Sequence, residues 1–318
     1  MRQRLLLLCG SKLESQNAEV YVRVVLFHNE DAGDGSSVDE ITALFERYGH
    51  HLVQVVDEEH RVERILASHA DLAVAAGGDG TVATAARVLA GHKLPLAILP
   101  LGTANNIAKS LSSDGPLDTL VEAWGRTRPQ SLDIGFARAE WGQRIFFESV
   151  GAGLIPAGIA AAKALEESAR EGSSTVKPED AVSTFRDVLA SLEPQRWTIV
   201  IDGQEEIGDF LLVEVLNIPS IGPNLVLSDE AVPTDGLFSV VIATEQHRRV
   251  LDEYLAHRIS GGERPLSMPP RHARRVEIRG STAVHVDDQL LDTQSPETVS
   301  MTIEAGALQF LPGPGLTP

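Results

Sequence analysis

Gly77-Gly78-Asp79-Gly80-Thr81 sets an acid and a hydroxyl among three glycines, between the apolar run Leu72–Ala76 and the helically spaced segment Val82–Leu89. Glycines let a backbone approach a ligand closely, and N–H groups at a helix start can hold phosphate oxygens. Asp79 can reach Mg²⁺ through water, or it can fix the loop by accepting backbone N–H bonds. Thr81 offers a hydroxyl at the helix start. A plain strand-to-helix turn would use the same residue types, so the context carries the argument. Pro100-Leu101-Gly102-Thr103-Ala104-Asn105-Asn106-Ile107-Ala108 repeats the logic after a second apolar run, with Gly102, Thr103, Asn105 and Asn106 as candidate nucleotide contacts. Asn105 or Asn106 could equally cap the following helix. A weaker third loop, Asn29 to Ser36, offers Asn29, Gly33, Gly35 and Ser36.

The elements that would position these loops follow from periodicity. Tyr21–Phe27, Leu52–Val56, Leu72–Ala76 and Leu96–Leu99 read as strands; Val38–Tyr48, Glu58–Ser68 and Val82–Leu89 read as helices. Such alternation predicts βαβ units, a parallel sheet and a Rossmann-like half whose loops gather at the carboxyl ends of the strands. From about Ser131 the rhythm turns to short strands: Leu132–Ala137, Arg144–Val150, Trp197–Ile201, Phe210–Leu216, Leu237–Ile242, Arg275–Ile278, Ala283–Val286, Val299–Ile303 and Leu308–Leu311. That pattern predicts an all-β sandwich, interrupted by helices near Ile159–Ala169 and Pro178–Leu192, with Gly172-Ser173-Ser174 as a link between them. The expected division is a poorly ordered leader at 1–20, an α/β nucleotide-binding domain at 21–126 and a β-sandwich domain at 127–318.

Of the 318 residues, 43% are hydrophobic and 23% charged, which suits a core-forming globular chain of about two domains. With 27 basic and 45 acidic residues the net charge of −18 repels nucleic acid and anionic bilayers at long range. The arginine-rich stretch His247–Arg279 could override this locally. No segment reaches the roughly 20 apolar residues of a membrane span, and the run Leu5–Leu8 is too short for a signal peptide. Cys9 is alone, so a cytoplasmic chain with at most peripheral membrane contact is expected. A G-x-x-x-x-G-K-[ST] loop, a G-x-G-x-x-G fingerprint after the first strand and an H-E-x-x-H helix are all missing. His50 and His51 read as surface turn residues, the three tryptophans as packing, and His285, within a strand near Asp287, as either structural or a partner in proton transfer.

Gly77–Thr81 and Pro100–Ala108 together resemble the diacylglycerol kinase catalytic domain, a family shared with bacterial lipid kinases and sphingosine kinases. The resemblance runs from Tyr21 to Leu311: Asn29–Ser36 looks like the first nucleotide loop, Asp133-Ile134-Gly135 like an Asp-x-Gly strand start, and Phe146–Leu154 like a strand ending in glycine. Asn217, Asp235-Gly236-Leu237 and Val286-Asp287-Asp288-Gln289 fall where later motifs lie. It implies an NAD kinase/diacylglycerol kinase-like fold, ATP and Mg²⁺, γ-phosphoryl transfer to a diacylglycerol-like or sphingoid hydroxyl, and a homodimer. It also implies a metal role for Asp79 and a polar network of Asp133, Asn217 and Asp235.

Two positions depart from the pattern. The family closes an Asp-Gly-Glu motif with the acceptor-side glutamate, whereas here the stretch is Asp287-Asp288-Gln289, and Gln289 cannot take a proton. Asp287 or Asp288 is the candidate substitute. Asn106 stands where aspartate is usual. Three readings stay open: a lipid kinase, a catalytically impaired nucleotide- or lipid-binding member, and an NAD kinase, since NAD kinases share the Gly-Gly-Asp-Gly-Thr loop.

Overall fold

A computed structural model of the chain describes residues 21–29, 36–56, 62–171 and 177–314. The leader, Gly33, Gly35 and Gly172–Ser174 lie outside the described residues.

The first lobe alternates as expected: β1 (Arg23–His28), α1 (Val38–Arg47), β2 (His51–Val56), α2 (Val62–Ala67), β3 (Leu72–Gly77), α3 (Asp79–Leu89), β4 (Leu96–Pro100), α4 (Asn106–Ser110) and α5 (Leu117–Ala123). A capping box starts α1: Ser37 Oγ accepts from Glu40 N–H at 3.3 Å, and Glu40 Oε2 accepts from Ser37 N–H at 2.8 Å. The strands pair in parallel in the order β2-β1-β3-β4. Strand β3 is buried along its whole length, which is why it reads as an unbroken run of small apolar residues. Its last residue, Gly77, pairs with Pro100 at the end of β4, so the two glycine loops leave the sheet side by side.

The second lobe contains β5 (Gln130–Ala139), β6 (Gly142–Phe146), β7 (Ser149–Gly153), α6 (Leu154–Glu171), α7 (Pro178–Ser191), β8 (Gln195–Ile201), β9 (Gln204–Leu216), β10 (Ser220–Ile221), β11 (Leu225–Val226), β12 (Phe238–Thr244), α8 (Arg248–Ile259), β13 (Arg271–Ala273), β14 (Arg275–Val286) and β15 (Gln289–Phe310). Strand β14 pairs with β8 through Val276–Arg279 and with β7 through Val284–Val286. Both β8 and β7 pair with β9, which closes the circuit and encloses a core including Trp197, Phe210, Phe238 and Met301. Helices α6, α7 and α8 cover the outer face of β9 through Ile155, Phe185 and Leu255 against Leu211 and Leu212. The far end of β15 leaves this lobe and adds to the first sheet, parallel to β4 at Phe310 and Leu96.

Three expectations change. Arg275–Ile278 and Ala283–Val286 form one strand with register shifts between them, and Val299–Ile303 and Leu308–Leu311 form another. Arg144–Val150 is broken at Phe147-Glu148. Helices α5 and α8 were not foreseen; α8 carries alternating arginines and acids that mask its apolar face. The arginine stretch is largely neutralised within the chain: Arg248, Arg249, Arg271, Arg275 and Arg279 ion-pair with glutamates, and Arg258 donates to the Asn224 and Gly262 carbonyls. Among the described residues no helix is long and apolar enough to cross a membrane.

Candidate active site

The two glycine loops are locked to each other. Leu101 N–H donates to the Gly77 carbonyl at 3.0 Å, and a Cβ on Gly102 would stand 2.4 Å from the Gly78 Cα. Glycine is therefore required at 102 by close backbone approach. Gly77 is required by Thr81, whose Oγ1 would lie 2.3 Å from an added Cβ. Asp79 takes the second of its two foreseen roles across the loops: Oδ2 accepts from Asn106 N–H at 3.0 Å and Oδ1 from Ile107 N–H at 2.9 Å. It thus caps α4, which Asn105 does not. Asn105 sits in the left-handed region at φ 52° and turns back, donating to the Gly102 carbonyl at 2.7 Å and accepting from Gly102 N–H at 3.0 Å. Burial pushes the Asp79 carboxyl above its ordinary range, against the opposing pull of those N–H bonds and of Lys109.

Asp287 organises the facing side. It lies in the two-residue turn between β14 and β15, at φ 51°, and its carboxylate accepts from Phe147 N–H at 3.0 Å and Glu148 N–H at 2.9 Å. Those N–H groups are the ones that leave the ladder where the Arg144–Val150 run breaks. Arg87 of α3 donates to its other oxygen at 2.9 Å. Burial pushes Asp287 up to about 6, while the two amides and the guanidinium pull it down. Glu148, held there, is buried, and its Oε2 accepts from Asn106 Nδ2 at 3.3 Å. Burial, then the charges of Asp79 and Asp287, raise its carboxyl well above the usual glutamate range. The Asn106 amide is otherwise satisfied, donating to the Gly222 carbonyl at 3.0 Å and accepting from Ser220 Oγ at 3.1 Å.

Behind this turn His285, Gly151 and Glu214 stand in register on adjacent strands. The His285 and Glu214 side chains meet over the glycine at 2.8 Å, where an added Cβ would lie 1.9 Å from Glu214 Oε2. His285 Nδ1 donates to the Asp287 carbonyl at 2.8 Å. Burial acts to lower the His285 pKa, but the charge and hydrogen bond of Glu214 outweigh it and the net shift is upward.

Between the loops and α6–α7 opens a cleft of about 400 Å³. Asp79, Asn106, Glu148, His285, Asp287 and Asp288 line its polar side, and Ile159, Ala162, Ala181, Phe185, Ile221 and Pro223 its apolar side. Lys163 and Lys177 also line it, and Lys109 Nζ reaches Asn224 Oδ1 on its rim at 2.5 Å. Three of the chain's five lysines thus gather here, against a net charge of −18. They supply ammonium partners for phosphate oxygens, beside five carboxyls on the same cleft.

The structure brings together Gly77–Thr81, Gly102–Asn106, Asp287 and Asp288. Gln289 is exposed, lies outside the cleft lining and accepts from Arg144 at 2.8 Å. Asn29 follows β1, its N–H on the Ala76 carbonyl at 3.4 Å, and the Ser36 carbonyl meets His28 Nε2. Asp133 accepts from Gly236 and Gly306 N–H at 2.6 and 2.8 Å, and Asn217 Nδ2 donates to the Asp133 and Phe147 carbonyls. The Asp235 carboxylate stays in its own turn, accepting from Leu237 N–H. Sequence reasoning missed Glu148, Arg87 and Glu214. The available signal was an acid inside an otherwise apolar strand run, at both 148 and 214.

A glycine-loop nucleotide lobe joined to a β-sandwich lobe across a carboxylate-lined cleft defines a phosphotransferase class. The model of the diacylglycerol kinase catalytic domain matches residues 23–137, and that of the YegS C-terminal NAD kinase beta sandwich-like domain matches 158–311. The chain belongs to the diacylglycerol kinase/YegS lipid-kinase family, whose catalysis is ATP-dependent. It is similar to a Mycobacterium tuberculosis diacylglycerol kinase, 28% identical over 247 residues that cover 72% of this chain and 75% of that one. A Pseudomonas putida protein named "Probable lipid kinase YegS-like" is 31% identical over 190 residues, 58% of this chain and 60% of that one. A crystal structure of a Bacillus anthracis diacylglycerol kinase superposes with a TM-score of 0.63 over 94% of this chain and 98% of the other, at 18% identity, and shares the fold.

Proposed function

We propose that the chain transfers the γ-phosphoryl group of ATP to the hydroxyl of a diacylglycerol-like or sphingoid lipid. The observation that carries this reading is the cleft itself, with interlocked glycine loops on one side, buried carboxyls at its floor and opposite them an apolar wall that also carries Lys163 and Lys177. Gly77–Thr81, Gly102, Thr103, Asn29 and Ser36 would face the nucleotide, with Gly33 and Gly35 in the same first loop. The apolar wall of α6 and α7 would take an acyl chain presented at a bilayer surface, which the protein meets peripherally. The diacylglycerol kinase of Mycobacterium tuberculosis supports a diacylglycerol-like acceptor.

Mg²⁺ binds through one or two carboxylates plus substrate phosphates and keeps several waters. Among the described residues no group of three or more acids, histidines or cysteines is arranged to cage a metal. Asp79 meets the lesser requirement: it lines the cleft, and each oxygen spends one lone pair on an N–H, so it can reach the ion through water. Bound there, the ion would neutralise charge on the transferring phosphoryl group.

Much of the chain's own work is positional. The glycine loops hold phosphates by backbone N–H, Asp79 keeps the α4 N-terminus in place, and the Arg87–Asp287 pair fixes the acceptor side against α3. A second reading, a nucleotide-binding member with little turnover, is favoured by Gln289 lying outside the cleft with an amide in place of an acid. Radiolabelled γ-phosphoryl transfer to a panel of lipids in mixed micelles, with NAD as a parallel acceptor, tests these readings. Lipid phosphate above a protein-free blank supports the first, ATP binding without product the second, and NADP formation an NAD kinase.

A further inference from the structure

Five carboxyls reach the cleft: Asp79, Glu148, Glu166, Asp287 and Asp288. Their surroundings separate them. Asp79 accepts two backbone N–H bonds and holds a helix end. Asp287 accepts from two amides and a guanidinium, so a proton taken there would work against the pair that ties the lobes together. Glu166 and Asp288 are exposed, and the Asp288 carbonyl is occupied by Lys163 at 2.8 Å. Gln289 has no acid to offer. Glu148 remains: a buried carboxyl on the cleft whose one hydrogen-bond partner among the described side chains is the neutral Asn106 amide.

We propose that Glu148 is the catalytic base of this chain, taking the acceptor's hydroxyl proton in place of the residue that stands as an amide at 289. The assignment rests on the phosphoryl-transfer reading above. In the step, the hydroxyl oxygen bonds to the γ-phosphorus and its proton passes to the Glu148 carboxylate. The bond from γ-phosphorus to the β,γ-bridging oxygen breaks, and its electron pair leaves with ADP. Asn106 then has a reason to be an amide. A second carboxylate at 106 would face Glu148 at 3.3 Å, whereas the amide donates to it and aims it. The acid has in effect moved from one side of a hydrogen bond to the other. The buried setting, flanked by Asp79 and Asp287, strengthens Glu148 as a proton acceptor, which is what general-base catalysis of a weakly acidic hydroxyl needs.

The test uses the full chain and the lipid panel, with ATP affinity measured separately by calorimetry. Glu148→Gln keeps the size of the side chain and an acceptor for Asn106. It is expected to lower kcat by roughly 10²–10⁴ while ATP Kd stays within about threefold, and to remove the acidic limb of the pH–rate profile. Glu148→Asp, one methylene shorter, is expected to lower kcat by about tenfold and to keep that limb, because a carboxyl remains. It serves alone if Glu148→Gln does not fold. Wild-type kcat in either variant overturns the proposal, as does an Asp288→Asn variant that loses more activity than Glu148→Gln. A wild-type chain that binds ATP and phosphorylates no lipid overturns the kinase reading itself, and the assignment with it.

Discussion

Arg87, on the helix that follows the first glycine loop, donates to Asp287 at 2.9 Å, on the turn that carries the acceptor side of the cleft. The carboxylate side chain is 3% exposed and the guanidinium 29%, so one partner is desolvated and the other half-solvated. Removing the arginine leaves a buried charge with only backbone partners, a change that is costly when full burial applies and smaller where water can reach. Arg87→Met should therefore lower unfolding stability by about 2 kcal/mol, read as a shift of the urea midpoint at constant slope. An unchanged midpoint would show that the amides alone hold Asp287.

Close contact of the glycine loops predicts different fates for two Gly→Ala changes. At Gly102 the new methyl meets the Gly78 backbone, so the loops must part, at a cost of about 1–3 kcal/mol, and ATP affinity should fall at least tenfold. At Gly80, inside α3 with open space around it, the methyl meets nothing within 4 Å. There alanine should stabilise the helix by about 0.5–1 kcal/mol. Thermal unfolding of both variants decides it, and equal effects would refute the steric account.

The Asn106–Glu148 bond predicts a compensating pair. Asn106→Asp puts an acceptor against the Glu148 carboxyl and the Gly222 carbonyl in a 1% exposed position, and should cost about 2–3 kcal/mol. The resemblance alone would have this substitution raise activity; the geometry has it destabilise the cleft. Adding Glu148→Gln restores a donor opposite the new acid and should recover most of the loss. A double-mutant cycle with no coupling would sink this reading.

Protonation at the buried His285–Glu214 pair gives a pH signature. The groups facing the imidazole are Glu214 on β9 and Asp287 on its own turn. Because the folded-state His285 pKa is raised, the folded chain holds its proton more tightly than the unfolded one. That stabilisation is complete below about pH 6.5 and is lost as pH rises through the folded value. Melting temperature should thus decline across this window in the wild type. Glu214→Gln should flatten that decline, and Gly151→Ala should lower the melting temperature at every pH because its methyl collides with Glu214.

Much of the nucleotide side was legible because its constraints are local. Gly78 and Gly102 are glycines because their backbones meet and Gly77 because of the Thr81 side chain four residues on, constraints that a strand–loop–helix pattern exposes. The acceptor side is held by contacts between residues distant in sequence. Asp287 meets the Phe147 and Glu148 amides 140 and 139 residues away, and Arg87 meets Asp287 across 200. No spacing rule reports such contacts. Glu148 was hidden further by its setting, since the break in the strand that exposes it is made by Asp287 rather than by a turn residue in the run itself.

The return of β15 to the first sheet has a consequence for synthesis. Leu308 and Phe310 pack in the same core as Val25, Ala73 and Ile98, so that core stays open while the intervening two hundred residues are made. Domains usually fold as units in the order of their emergence from the ribosome. Here the lobe that comes first is the last to finish, and an edge of β4 waits unpaired until β15 has been made.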